Sequence, residues 1–291
     1  MHPETITSMQ DRTVVITGAN SGIGLETAAA LAAAGARIVM GCRNPTTAAA
    51  AVEQVRHRSG NGAVETRPLD LADLDQVRSF AASLADLDHV DVLINNAGLM
   101  LDLRQETPQG NEATFATNHL GPFLLTSLLT EQLASAPNAR IVNVASAAHR
   151  LAPQGIGWDD IDRRRSYQGW TVYAQSKLAN ILHARELARR LADRGVVAHA
   201  LHPGSIASGF GRDGDLHGFN DRLMWIAQYV LLSPEQGART SVHVASSPDA
   251  LRTSGGYWAR GRRARASAAA RSDAAAAELW QRSEEMVAAS A

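Results

Sequence analysis

Val14-Val15-Ile16-Thr17-Gly18-Ala19-Asn20-Ser21-Gly22-Ile23-Gly24 is the stretch that decides the fold of this chain. A short β-branched run reads as a buried strand, and it breaks into glycines spaced Gly-x-x-x-Gly-x-Gly. Residues 25–34 follow, rich in Ala and Leu and stopping at Gly35, as a helix with a C-terminal glycine should. Strand, glycine turn and helix in this order suit a pyrophosphate. Glycine permits a tight turn and close backbone approach, and the helix N-terminus presents free N–H groups and a positive dipole end. The spacing is one residue longer than the common dinucleotide fingerprint. Gly18, Asn20, Ser21, Gly22, Ile23 and Gly24 are the candidate contacts.

The same alternation runs on to the C-terminus. Strands are expected at 37–40, 64–69, 90–94, 140–144 and 196–201, with a last one starting at 256–258. Helices are expected at 46–58, 73–84, 112–134, 172–193, 234–246 and 273–288, with Asp73 as an N-cap and Gln76 in the capping-box position. Buried strands separated by helices mean a parallel sheet covered on both faces. The fold class is therefore α/β, a Rossmann-type doubly wound parallel sheet of about seven strands in a single domain. Residues 1–12 read as a polar tail, 13–258 as the catalytic domain, and 259–291 as an Ala/Arg-rich linker with a C-terminal helix. Two segments break the rhythm. Residues 151–171 form a loop-like insertion. Residues 205–232, glycine-rich and then apolar, are long enough to act as a lid over a substrate.

Composition narrows the function classes. The chain has 291 residues, 45% of them hydrophobic, and a formal net charge of -1. That balance calls for neither nucleic acid nor an acidic membrane surface as partner. The single cysteine, Cys42, excludes an internal disulfide. The N-terminus lacks the order of a signal peptide, and no apolar run reaches the ~20 residues that span a bilayer, so a soluble cytoplasmic protein with no membrane span is expected. No metal is expected. His199 and His202, three apart on a strand, point to opposite faces, and His119 and His149 lack ligand spacing. Asp159, Asp160 and Asp162 precede Arg163, Arg164 and Arg165 without the glycine and glutamate of a calcium loop, and read as a solvated charge run. Arg260, Arg262, Arg263, Arg265 and Arg271 read as solvated surface.

The end of the second strand selects the cofactor. An NAD site usually places Asp or Glu there for the ribose 2′-hydroxyl, and an arginine accommodates a 2′-phosphate. The chain has Met40-Gly41-Cys42-Arg43-Asn44, so Arg43 favours NADP(H), with NAD(H) as the secondary cofactor. Asp70, with Leu71 beside it, follows strand three. Asp70 could equally bond the backbone ahead of the next helix, but it is read as accepting from the adenine amino group, with Asp70 and Leu71 as cofactor contacts. Asn95-Asn96-Ala97-Gly98 ends strand four, where Asn96, Ala97 and Gly98 let backbone approach the nicotinamide ribose.

Tyr173 and Lys177 are four apart in a helical stretch and share a face. A tyrosine titrates near ~10, and a nearby ammonium favours its phenolate. The pair can give a proton to a carbonyl or take one from an alcohol during hydride transfer. The glycine turn, Asn-Asn-Ala-Gly, Ser146 and Tyr173-Ala-Gln-Ser-Lys177 occur in order, each at a strand carboxyl end or the following helix.

With these motifs the chain resembles the short-chain dehydrogenase/reductase superfamily over almost its whole length. Asn118-His-Leu-Gly-Pro-Phe, Ser146-Ala-Ala-His149, Ser176-Lys-Leu-Ala-Asn180, His202-Pro-Gly204 and Leu279-Trp280 look like the retinol dehydrogenase-related branch. The resemblance implies NADP(H) and a small lipophilic carbonyl or alcohol. It implies Tyr173 as the acid/base, Lys177 lowering its pKa and bonding the nicotinamide ribose, and Ser146 holding the substrate oxygen. Asn118 would keep a proton-relay water near the lysine. Pro203 and Gly204 would pack beside the nicotinamide, and Ile206 and Ser208 would meet its carboxamide. The branch usually has two serines where this chain has Ala145-Ser146, and threonine where it has Ser208. Two rival readings are a carbon–carbon double-bond reductase like the protochlorophyllide reductases, and a non-catalytic NADP(H)-binding regulator. The first uses a substrate-side cysteine, whereas Cys42 lies on the adenosine side; the second often loses the tyrosine or lysine. A homo-oligomer is left open.

Overall fold

The computed structural model describes residues 7–204 and 233–289. The expected lid, 205–232, lies outside the described residues, and Ile206 and Ser208 lie outside with it.

The inner strands carry apolar side chains at consecutive positions, and strand geometry sends them alternately to opposite faces. In β1 (Thr13–Thr17), Val14 and Ile16 join one apolar cluster and Val15 another. In β2 (Arg37–Cys42), Ile38 and Met40 go one way and Val39 the other. The sheet therefore needs cover on both sides. On one face lie α1 (Gly22–Ala33), α2 (Pro45–Ser59) and α8 (Pro234–Ser246). Their small Ala28, Ala32, Ala238 and Ala245 let α1 and α8 pack closely. The other face is covered by α3 (Leu74–Ser83), α5 (Gly121–Leu128), α7 (Gly169–Arg190) and α10 (Asp273–Ala288).

The strand order is β3-β2-β1-β4-β5-β6-β7-β8, with β3 at Val64–Pro68, β4 at Val92–Asn95, β5 at Arg140–Val144, β6 at Val197–His202 and β7 at Gly256–Ala259. The first seven pair in parallel. The eighth, β8 (Arg262–Arg263), returns antiparallel on β7. The expectation of about seven strands thus matches the parallel part. Positive φ at Arg260 (54°) and Gly261 (69°) reverses the chain there, and two exposed residues are too short to show any apolar alternation. The segment after 259 is also less separate than its composition suggests, because Ala266, Ala270, Ala276 and Leu279 share an apolar cluster with α7.

Two local expectations are corrected. Asp73 caps α3 by accepting from Asp75 N, but Gln76 turns its amide onto the Asp73 carboxylate at 3.3 Å, so no capping box forms. Residues 112–134 are not one helix. α4 (Ala113–Phe115) passes into a π turn over Ala116–Leu120 before α5, and α6 (Thr130–Ser135) is set off at Leu129. Among the described residues no helix is long and apolar enough to cross a membrane, and no three potential metal ligands cluster.

Candidate active site

The carboxyl ends of the parallel strands lie along one edge of the sheet, where an open α/β sheet gathers its ligands. The glycine turn sits there between β1 and β4. Gly18 has φ +65°, and a Cβ on it would lie 2.9 Å from Ala97. A Cβ on Gly24 would meet the Asn96 amide at 2.5 Å. The Asn96 Nδ2 donates to Thr17 O at 2.9 Å and Gly18 O at 3.1 Å, while Thr17 Oγ1 accepts from Asn96 N and Ala97 N. Asn96 and Thr17 thus brace the turn rather than reach out from it. Ser21 is the N-cap of α1, yet its side chain makes no capping bond and no acidic residue lies in the first turn. The first N–H groups of α1, at Gly22 and Ile23, therefore remain available to an anion. Asn20 donates to Thr47 Oγ1 at 3.1 Å, tying the turn to α2.

Arg43 follows β2, is exposed, and forms no ion pair with any described residue. Asn44, next to it, caps α2. Asp70 is half-buried and accepts from Ala72 N on its Oδ1 at 2.9 Å. Leu71 is buried, its carbonyl pressed against Gly121. Pro203 and Gly204 follow β6 and are half-buried.

Asn118, Ser146, Tyr173 and Lys177 are brought together at the same edge. Tyr173 and Lys177 lie on successive turns of α7, with Lys177 Nζ 5.5 Å from the centre of the Tyr173 ring. Ser146, just past β5, is hydrogen-bonded to the Tyr173 hydroxyl and accepts from Ala148 N at 3.2 Å. The buried Lys177 donates to Val144 O at 3.2 Å. Asn118 sits in the π turn, as polar groups at such turns often do at functional sites. Its Oδ1 accepts from Leu99 N at 2.8 Å, and its Nδ2 donates to Leu99 O at 2.8 Å and Ser176 Oγ at 2.9 Å. The side chain is fully engaged in bracing the loop after β4 against α7. Gly98 lies in that loop, and a Cβ there would be 2.9 Å from Lys177 Nζ.

Burial sets the electrostatics. It pushes the Tyr173 phenol up to about 12, with the Ser146 hydrogen bond opposing. It pulls the Lys177 ammonium down to about 8. Each group is shifted toward its neutral form, as desolvation requires.

Several residues at the site carry no signal that spacing alone could catch. Ser176 accepts from Asn118 and donates to Tyr173 O at 2.8 Å. Asn95 donates to Asn143 Oδ1 at 2.9 Å, Asn143 to Asn180 O at 3.2 Å, and Asn180 to Val144 O at 3.2 Å. This chain of amides crosses β4, β5 and α7 and ends on the carbonyl that holds Lys177.

Comparison with known proteins agrees with this geometry. The short chain dehydrogenase family model matches residues 12–157. Retinol dehydrogenase 11 of Homo sapiens is 40% identical over 270 residues, covering 92% of this chain and 83% of that protein. The crystal structure of an uncharacterized protein from Mycobacterium paratuberculosis superposes with a TM-score of 0.79 at 36% identity, covering 98% of this chain and 96% of the other. A protein from Beutenbergia cavernae, described as an NAD(P) dependent gluconate 5-dehydrogenase with bound NADP at low occupancy, superposes with a TM-score of 0.69 at 26% identity, covering 87% of this chain and 96% of the other.

Proposed function

Because the chain belongs to the short-chain dehydrogenase/reductase family, in its retinol dehydrogenase branch, and is an oxidoreductase acting on CH–OH or C=O, we propose that it uses NADP(H) to interconvert a lipophilic carbonyl compound and its alcohol, with Tyr173 as acid/base. The observation that carries this reading is the cluster of Ser146, Tyr173 and Lys177, where the serine and tyrosine hydroxyls are hydrogen-bonded and the buried lysine lies 5.5 Å from the tyrosine ring.

The residues present fit a nicotinamide dinucleotide. The glycine turn has no room for added Cβ atoms at Gly18 and Gly24, so backbone itself lines the approach, and the uncapped start of α1 offers N–H donors to a pyrophosphate. Gly18, Asn20, Ser21, Gly22, Ile23 and Gly24 would hold the phosphates, Asp70 and Leu71 the adenine side, and Asn96, Ala97, Gly98, Lys177, Pro203 and Gly204 the nicotinamide side. Arg43, exposed and free of any ion pair among the described residues, would take the 2′-phosphate, and no carboxylate stands at the end of β2 to repel it. The Beutenbergia cavernae relative with bound NADP supports the same choice. When bound, the cofactor supplies or accepts the hydride.

The chain's own groups manage the oxygen. Ser146 Oγ and Tyr173 Oη hold the carbonyl oxygen between them, which polarises it. Tyr173 gives its hydroxyl proton to that oxygen as the alcohol forms, and Lys177 offsets the phenolate left behind. Alcohol oxidation runs the same proton path in reverse.

A lipophilic substrate is supported by exposed apolar side chains beside Tyr173 and on the segments next to the Ser146 turn and the start of α7. Trp170 meets its ring edge-on at 6.1 Å and stays 49% exposed. Leu151 follows the Ser146 turn at 66% exposure. Leu103, 71% exposed, lies two residues from Leu101, whose carbonyl accepts from Tyr167 beside the start of α7. The relative named for retinol, a lipophilic alcohol, points the same way. NADPH consumption across a chain-length series of aldehydes and ketones tests the reading. Medium and long apolar substrates should give the higher kcat/KM; a preference for short charged ones would overturn it.

A further inference from the structure

His149 and His202 take no part in the proton path above, yet both grip the turn that carries Ser146. His149 is fully buried. Its Nε2 accepts the Ser267 N–H at 3.2 Å, and its Nδ1 lies 2.7 Å from Ser146 O. A donor aimed at Nε2 fixes that nitrogen as the lone-pair side, so the proton of the neutral ring sits on Nδ1 and is donated to Ser146 O. His202, the last residue of β6, accepts on Nδ1 from Ala147 N at 3.3 Å and Gly204 N at 3.4 Å. Residues 146 and 147 are therefore held from two sides: the His202 hold on Ala147 needs an unprotonated Nδ1, and His149, which grips Ser146 O through its Nδ1 proton, is itself anchored to Ser267 through an unprotonated Nε2.

We propose that His149 and His202 are positioning residues, a pair of neutral imidazoles that keeps Ser146 where the substrate oxygen must bind, and that protonation of the pair releases the turn and sets the acid limit of carbonyl turnover. This rests on the reading of Ser146 given above.

The groups facing the pair favour the neutral form. Arg150 faces both rings from the same turn, and Arg260 faces His202 from the reversal between β7 and β8. Tyr257 meets His149 edge-on at 5.2 Å, and burial pushes its phenol up to about 12, so it is uncharged. Burial is the largest cause that lowers both histidines below the ordinary 6.5, and the arginines push the same way. At His149 the Ser146 carbonyl opposes this shift; at His202 the other histidine adds to it. A second proton would set N–H against N–H, at Ser267 for His149 and at Ala147 and Gly204 for His202. With folded-state values lowered, the unfolded chain takes up protons first. The pair's contribution is present at neutral pH and lost as pH falls below the ordinary histidine value.

The arrangement also gives the Arg-rich stretch a role that its charge does not suggest. Ser267 lies within it, and Arg150 Nη2 donates to Arg265 O at 2.7 Å. Its backbone reaches the Ser146 turn while its arginines are exposed.

The test compares His149→Asn, His202→Asn and His149→Leu with the unmodified protein, measuring carbonyl kcat/KM and NADPH Kd from about pH 5 to 8. Asparagine keeps a donor near the place of the His149 Nδ1, or an acceptor near that of the His202 Nδ1, and takes no proton. Each Asn variant should keep neutral-pH kcat/KM within ~3-fold and lose much of the acid limb. His149→Leu should lower kcat/KM by ~10–100-fold at every pH, with NADPH Kd unchanged. An acid limb unchanged in both Asn variants, or full activity in His149→Leu, overturns the inference. If His149→Leu does not fold, the Asn pair still decides. Tyr173→Phe is run in parallel: turnover retained there removes the underlying reading, whereas turnover lost there with silent histidine variants removes only this inference.

Discussion

Tyr173 and Lys177 are shifted in opposite directions by one cause. The sequence suggests that the lysine draws the phenol down; in the folded chain burial dominates, opposed at Tyr173 by the Ser146 hydrogen bond, and holds Tyr173 up near 12 and Lys177 down near 8. At neutral pH the pair is thus a protonated phenol above a charged ammonium, the state suited to reduction. Carbonyl reduction should therefore fall as pH rises through about 8, where Lys177 loses its charge; a rate that stays flat well above that pH would refute it. Tyr173→Phe keeps the ring and removes the proton, so turnover should drop ~100–10,000-fold while NADPH still binds. Arg43→Ala should weaken NADPH binding ~10–100-fold and leave NADH nearly unchanged, read by fluorescence titration of each cofactor. Equal losses would return Arg43 to plain surface. These residues were legible in the sequence because the chemistry demands their types at their spacings. Ser176, Asn180 and His149 stand in the motifs that carry the resemblance, but their bracing roles, and that of Asn143, were not legible, because they act on backbone groups and on one another, through partners as distant in sequence as Ser267.

At the scale of elements, most of the sheet and its helices could be read from apolar runs punctuated by glycine and caps. The helices at Pro234–Ser246 and Asp273–Ala288 and the strand Arg140–Val144 fall where their patterns place them. The stretch 112–134 reads as one helix only if Gly121-Pro122 inside it is passed over; that pair marks the start of α5, whereas the π turn before it leaves no mark in composition. It forms where tertiary contacts favour it, and here it carries Asn118 to the loop after β4, where Leu99 and Ser176 take all three of its side-chain bonds. Gly98 is the narrow point of that junction. A methyl group there would sit 2.9 Å from Lys177 Nζ and 3.2 Å from Asn118 Oδ1. The end of a lysine side chain yields more easily than backbone, so Gly98→Ala should leave stability almost unchanged. The displaced ammonium should nevertheless cost ~10–100-fold in kcat, since shifts of about 1 Å at a catalytic group have that effect. Thermal unfolding and steady-state kinetics on the same preparation separate the two. A variant with unaltered kcat would show that Lys177 tolerates the shift.

Across the whole molecule the two ends of the sheet do different work. The carboxyl ends hold the glycine turn, Asn118, Ser146, Tyr173 and Lys177. At the opposite end, Arg140 opens β5 almost fully buried and reaches under α8. Its Nη1 donates to Val244 O at 3.0 Å and Ser247 O at 2.9 Å, and its Nη2 to Ser246 O at 3.3 Å. Those are carbonyls at the helix C-terminus, where a cation is favoured and acceptors otherwise lack partners. Burial lowers Arg140 to about 10, so it stays charged at neutral pH. In the sequence Arg140 looks like the polar first residue of a strand, because its partners lie about a hundred residues further on. Arg140→Met keeps the apolar stem and removes its donors from Val244 O and Ser246 O, while Ser247 O keeps the Ala250 N–H. The loss should be about 2–4 kcal/mol, which in a chain of 291 residues is a fall of roughly 3–7 °C in Tm. Because the change lies at the far end of β5 from Ser146, kcat and NADPH Kd measured well below that Tm should stay within ~2-fold. Calorimetry and kinetics on the purified variant check both halves. A wild-type Tm would mean that Val244 O and Ser246 O find water instead, and a loss of kcat in folded protein would mean that the two ends of the sheet are coupled through β5.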